Sequence, residues 1–516
     1  MNKDAQSAPV RNVVIVGGGT AGWMTAASLA HHLGRLGVSI TLVESSAVGT
    51  IGVGEATVPA IRRYFQSLGL NAFEVMKATN GTIKLAIEFD GWRGEGHSFM
   101  HPFGRFGLET GPIAFHDLWN RLRRHGDAGT LDEYAMGTQL ARAGRMMLPP
   151  PNPRVDFENF DWAVHFDASR FAAFLRTFAE ARGVRRIDAK VTEVMRGGVE
   201  NITGVRLDNG QVLTGSLYID CSGFHRLLIE RTLQSGFVDW RHWLLCDRAV
   251  ALPCATRDPA DISPFTRSRA LAAGWTWRIP LQNRVGNGYV YSSDHISDDE
   301  AQAALRAELE GEILGEPNVV RFRAGHVRRF WIGNCIAIGL SSGFLEPLES
   351  TSISLIQMGI DKLLHYWPDE GMASEGLALH AAEYNRLSVT EFERVRDFII
   401  LHYSANGRQP GHAGKEDLWR YCREMTLPET LSRKIALYRS RGFLQQYSSE
   451  SFFEPSWLCM YGNLGIDAAS WDPLTNLLPL PELMDVTRRV RDDIARIASG
   501  AMPHREFLRQ AGAWAL

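Results

Sequence analysis

The sequence predicts an α/β protein of two domains. A βαβ unit sits at the N-terminus, a β-rich stretch interrupts its sheet, and the C-terminal part is mostly helical. Three observations carry this. The β-branched run Val13–Val16 is stopped by Gly17, Gly18 and Gly19 and followed by a helix-like stretch. Two further short apolar runs, at 217–223 and 335–343, repeat the pattern of a buried strand ending in a turn. From Thr351 onward the apolar spacing is helical, as in 391–402, 428–441 and 483–498. Pro428 opens its helix, where no N–H partner is needed.

Each element has a local reason. Val13–Val16 is too short for a helix and rich in β-branched residues, so it reads as a buried parallel strand. Thr20 to Leu33 reads as the following helix, and Ser39 to Val43, ending at Glu44, as the second strand. Thr82 to Asp90 alternates, with Ile83, Leu85, Ile87 and Phe89 on one face and Lys84 on the other. Residues 167–180 form a helix with Phe171 and Leu175 inward. Asp208-Asn209-Gly210 turns a hairpin between 205 and 212.

Composition excludes several classes. At 516 residues, 45% hydrophobic and 22% charged, the chain is an ordinary globular protein of more than one unit. A net charge of −3 provides no basic face for nucleic acid. The apolar stretch from Val13 to Gly34 holds five glycines, so it is expected neither to span a membrane nor to act as a signal. Six scattered cysteines, none paired as C-x-x-C, predict reduced thiols, no zinc site and a cytoplasmic setting.

Gly17-Gly18-Gly19-Thr20-Ala21-Gly22 matches G-x-G-x-x-G between strand and helix. Gly17 permits the turn, Gly19 admits a pyrophosphate to the backbone, and Gly22 allows close helix–strand packing. The N–H groups at Thr20 and Ala21 open the helix toward the phosphates. Glu44 lies 22 residues past Gly22, where a carboxylate can accept both ribose hydroxyls. The long interruption before the second half of the sheet favours FAD over a nicotinamide cofactor, hence a two-domain FAD-binding flavoprotein fold.

Further segments narrow the field. Gly274-Trp275-Thr276-Trp277-Arg278-Ile279-Pro280 contains W-x-W-x-I-P. With the glycine motif it resembles the flavin-dependent halogenases of the tryptophan halogenase family. The segments at 51–59, 83–89, 162–168 and 345–351 resemble that family too, over residues 12 to roughly 365. The resemblance implies that FADH2 from a separate reductase and O2 turn halide into hypohalous acid, which reaches an aromatic substrate through a channel. Trp275 and Trp277 would keep substrate away from the flavin. Ala56, Val191, Leu340 and Ile353 would join the glycine loop around FAD. Lys84 and Glu349 would be catalytic, one aiming the halogen and the other accepting the ring proton. The main-chain N–H groups of Thr351 and Ser352 would hold chloride or bromide. The family has glycine where Ser352 stands, so a left-handed turn is expected there. Glu346, three residues before Glu349, reads as structural.

His101 and Phe103 resemble the segment that stacks on an indole ring, with Phe453 expected on the opposing wall and Phe452 and Trp457 nearby. Residues 80–110 would thus serve the substrate site, with 1–365 as FAD module and 366–516 as substrate module. Tryptophan-specific members carry a Tyr-Tyr pair and a Glu in a lid; here the region 442–453 has one tyrosine, Tyr447. Free indole or an indole derivative is therefore expected ahead of free L-tryptophan. The second reading is an FAD-dependent aromatic hydroxylase, and the third a non-catalytic flavin-binding protein. By analogy the assembly is a homodimer.

Overall fold

The computed structural model describes residues 10–47, 54–126, 128–258, 262–368, 374–408 and 417–515. Residues 51–53, part of one family-like segment, lie outside them.

A six-stranded sheet forms around Asn12–Val16, whose four valine and isoleucine side chains are all buried. Leu217–Asp220 pairs parallel on one side and Ser39–Glu44 parallel on the other. Cys335–Ala337 adds parallel beside Leu217–Asp220, and Arg185–Asp188 beside Ser39–Glu44. The downstream runs thus complete the sheet begun at the N-terminus, as the sequence pattern predicts. The helix Thr20–Leu33 packs its small residues on this sheet, and the helix Ala168–Glu180 packs against it in turn. Asp167 caps the second helix by accepting from the Arg170 N–H.

A seven-stranded, mostly antiparallel sheet stands beside it. It contains Gly274–Pro280 between Val285–Tyr291 and Phe265–Leu271. Trp277 faces Gly288 in register, and a Cβ on Gly288 would fall 2.0 Å from the Trp277 ring, so glycine is what admits the indole.

The predicted strand over 82–90 is two strands. Thr82–Lys84 pairs with Ala163–Asp167 in a small sheet, while Ala86–Asp90 joins the seven-stranded sheet. Leu85 is the break: its N–H donates to the Pro264 carbonyl, and its own carbonyl accepts from Phe103. Both faces are covered, so the alternation does not divide core from solvent. Lys84 is 0% exposed.

The C-terminal helices include Ser374–Ser404, Glu429–Arg441, Glu454–Leu464 and Leu480–Gly500. Ser374–Ser404 packs on Ser352–His365 and on Glu454–Leu464, which brings residue 402 beside residue 349. All six cysteines are free and buried. Among the described residues no helix is long and apolar enough to cross a membrane.

Candidate active site

A cavity of 680 Å³ opens at the glycine loop and runs to the two tryptophans. Gly17, Gly19, Thr20, Ala21, Glu44, Ala56, Val191, Leu340 and Ile353 line it, as do Trp275 and Trp277. Gly17 has φ +112°, and a Cβ there would lie 2.1 Å from the Cys221 carbonyl oxygen. Only glycine fits that turn. Gly19 has nothing within 4 Å of its Cβ position, leaving bare backbone toward the cavity. Gly22 does not line the cavity; a Cβ there would strike the Gly17 carbonyl, so its role is packing of helix on loop. Glu44 faces the cavity with one carboxylate oxygen held by Arg186 at 2.5 Å. A glycine cradle with bare backbone at a helix N-terminus, a carboxylate at the next strand end and a long apolar recess fit a dinucleotide carrying a flat ring.

At the far end, Ser350 and Ser352 line the cavity. Behind Ser350 lies Lys84, whose ammonium donates to the Ser350 Oγ at 2.8 Å and to the Thr57 carbonyl at 2.9 Å. The Phe103 ring sits 5.4 Å from the same nitrogen. Burial pulls the Lys84 ammonium down to about 7, and the nearby Glu349 charge only partly opposes this.

Glu349 closes the other side of Ser350. Its carboxylate is 1% exposed. The Nδ1 of His101 lies 3.0 Å from both its oxygens, and the Nε2 of His402 lies 2.8 Å from one. Burial alone would push this carboxyl up. The His101 charge and the hydrogen bonds from both imidazoles outweigh it and hold the group at about 2. The other His402 nitrogen lies 2.7 Å from the Phe398 carbonyl, so the ring is held between that carbonyl and Glu349.

Several sequence expectations change here. The left-handed residue is Ser350, at φ 58°; Ser352 is the first residue of the helix Ser352–His365. Ser350 needs that turn to aim its hydroxyl at Lys84. His101 is not a free stacking surface: it is buried between Glu349 and the Ser456 hydroxyl, which its Nε2 meets at 2.9 Å. Phe453 is 65% exposed, and Phe452 takes the buried position, stacked on Phe398 at 3.9 Å. Trp457 packs edge-on to Phe398. Glu346 accepts from the Trp275 indole N–H at 2.7 Å and from the Tyr403 hydroxyl. Sequence reading missed His402, because a histidine inside a helix carries no motif. It also missed Phe398 and the role of Ser350.

Fold and site define a dinucleotide-binding enzyme that keeps its amine and carboxylate behind the cofactor cavity rather than in it. The tryptophan halogenase family model matches residues 12–479, and the chain belongs to that family of flavin-dependent halogenases. It is 36% identical to tryptophan 6-halogenase SttH of Streptomyces toxytricini, over 86% of this chain and 85% of that one. It is 34% identical to tryptophan 7-halogenase RebH of Lentzea aerocolonigenes, over 98% and 99%. BrvH, a flavin-dependent halogenase from Brevundimonas sp. BAL3, superposes with a TM-score of 0.91 at 46% identity, covering 97% of this chain and 99% of that one. Family membership sets the hydroxylase and non-catalytic readings aside.

Proposed function

We propose that this protein halogenates a neutral indole-type ring, using FADH2 from a separate reductase, O2 and chloride or bromide. The bound flavin would supply the oxidising equivalents that turn halide into hypohalous acid; the remaining chemistry belongs to the chain. Ser350 carries this reading, because it touches both the cofactor cavity and Lys84. Hypohalous acid passing Ser350 would meet the Lys84 ammonium. Lys84 donates a proton to the departing oxygen, the halogen bonds to a ring carbon, and the ring proton passes to Glu349. Hypohalous acid and arene thus give haloarene and water. A carboxylate held at about 2 is a weak base, but the cationic ring intermediate is a far stronger acid, so the transfer is downhill.

Halide has support at the start of the helix Ser352–His365. Ser350 is left-handed and Thr351 right-handed, a pair that turns successive N–H groups into one concavity. The buried Thr351 hydroxyl beside it has no partner among the described residues.

The substrate preference rests on the segment 442–453. Glu450, buried beside Trp457, is paired with the Lys434 ammonium at 2.5 Å and accepts from the Trp457 indole N–H at 3.2 Å. Lys434 itself lies over the Trp457 ring at 4.0 Å. A carboxylate already paired offers nothing to a substrate ammonium, and burying an unpaired ammonium is costly. The test is competition between indole and L-tryptophan with bromide, reductase and FAD, read by product mass. Bromoindole should dominate; bromotryptophan forming faster would overturn the preference, and hydroxylated product would overturn the reaction.

A further inference from the structure

Glu55 is a carboxylate that the chemistry above leaves unused. It lies on the strand Gly54–Ala56 and lines the same cavity as Trp275, Trp277 and Thr266. Among the described residues no hydrogen bond or ion pair reaches it, in contrast to Glu44, Glu346 and Glu349. The strands packed on Gly54–Ala56 are Ala163–Asp167, Gly274–Pro280 and Val285–Tyr291. Every charged or titratable group they bring is otherwise engaged. His165 bonds Thr82 and Thr266, Asp167 pairs with Arg284, and Arg278 pairs with Glu310. Val285–Tyr291 carries no acid, base or histidine, and its tyrosines Tyr289 and Tyr291 bond the Ala273 N–H and Asp298. Lys84, two residues along at the Thr57 carbonyl, is bonded to that carbonyl and to Ser350. The remaining cavity charges are Glu44 at a strand end, Lys190 in a loop between strands, and His225 and Arg231 in the short helical turns Gly223–His225 and Leu227–Thr232.

We propose that Glu55 is the proton-linked contact for the reduced cofactor: the carboxylate takes up one proton as the flavin enters. The inference rests on the flavin reading above. The reduced isoalloxazine ring is an anion at neutral pH, and two like charges cannot share an apolar recess without one of them being neutralised. Glu55 is suited to yield, since burial pushes its carboxyl up to about 7 before any ligand arrives. One proton moves from solvent to the carboxylate oxygen, and no bond to the flavin forms. The neutral acid then donates a hydrogen bond where a carboxylate could only repel.

The test is calorimetry under anaerobic conditions. FADH2 and oxidised FAD are titrated into the full chain at pH 8, in buffers of different ionisation enthalpy. The reduced cofactor should bring uptake of close to one proton, and oxidised FAD, whose ring is neutral, distinctly less. Affinity for the reduced form should fall up to tenfold per pH unit above pH 7. Glu55→Gln should bind FADH2 without the uptake and without that pH slope. Absence of uptake in the parent, which needs no variant, overturns the proposal. So does uptake that persists in Glu55→Gln, since the flavin itself is then the group protonated. If neither redox form binds at all, the cofactor reading fails together with this one, a result distinct from binding without uptake.

Discussion

Replacing Lys84 by methionine should abolish halogenation and make the protein slightly more stable. The ammonium is wholly buried with a carbonyl and a hydroxyl as its hydrogen-bond partners. Its drop from 10.5 to about 7 corresponds to about 5 kcal/mol of destabilisation at low pH, and about 4 kcal/mol at pH 7. The sign follows from proton binding. Between pH 7 and 10.5 the unfolded chain holds the Lys84 proton and the folded one does not, so this group makes stability rise with pH across that window. Methionine removes the penalty but strips a donor from Thr57 and Ser350, at about 1 kcal/mol each. The balance is about 2 kcal/mol in favour of the variant at pH 7, which for a chain this long is a rise in Tm of about 2 °C. The advantage should shrink as pH approaches 10.5. Differential scanning fluorimetry across pH, with product mass on the same samples, checks both halves. A fall in Tm at pH 7, or halogenation at the parent rate, refutes the argument that a desolvated amine serves the chemistry at the expense of the fold.

Four further variants test the same geometry. Glu349→Gln should lower kcat by about 10²- to 10⁴-fold with little change in KM, as expected for loss of a positioned base, measured by steady-state halogenation. Because the Glu349 carboxyl sits at about 2 rather than 4.5, its contribution of about 3 kcal/mol is present above pH 4.5 and lost as pH falls toward 2, so acid unfolding should begin at higher pH in the variant. His402→Phe should raise the proton affinity of Glu349 and shift the acidic limb of the pH–rate profile upward; an unmoved limb would mean that His402 only fills space. Gly17→Ala should lose FAD retention, because its Cβ would sit 2.1 Å from the Cys221 carbonyl oxygen; flavin fluorescence after gel filtration reads this. Lys434→Ala frees the buried Glu450 carboxylate, so the KM for tryptamine should fall relative to that for indole; an unchanged ratio would remove Glu450 from the substrate site.

Parts of the fold whose physical requirement is local can be read directly along the chain. The strand Val13–Val16, the glycine turn and the helix from Thr20 follow from side-chain shape and backbone freedom within a few residues, and the structure places them where the pattern did. Lys84, Glu349, Trp275 and Trp277 were legible as members of a motif set. Which groups they meet was not. The Lys84 ammonium meets a hydroxyl 266 residues away, and His101 and His402 reach Glu349 across 248 and 53 residues. Such partners leave no periodic trace, because a hydrogen bond constrains only where two atoms end up. Tertiary packing likewise split the strand at Leu85, set the left-handed turn at Ser350 rather than at Ser352, turned Phe453 outward and filled Glu450 with Lys434. Burial did the rest: it moves Lys84 and Glu55 to about 7, a change that depends on which neighbouring elements exclude water and is therefore invisible along the chain.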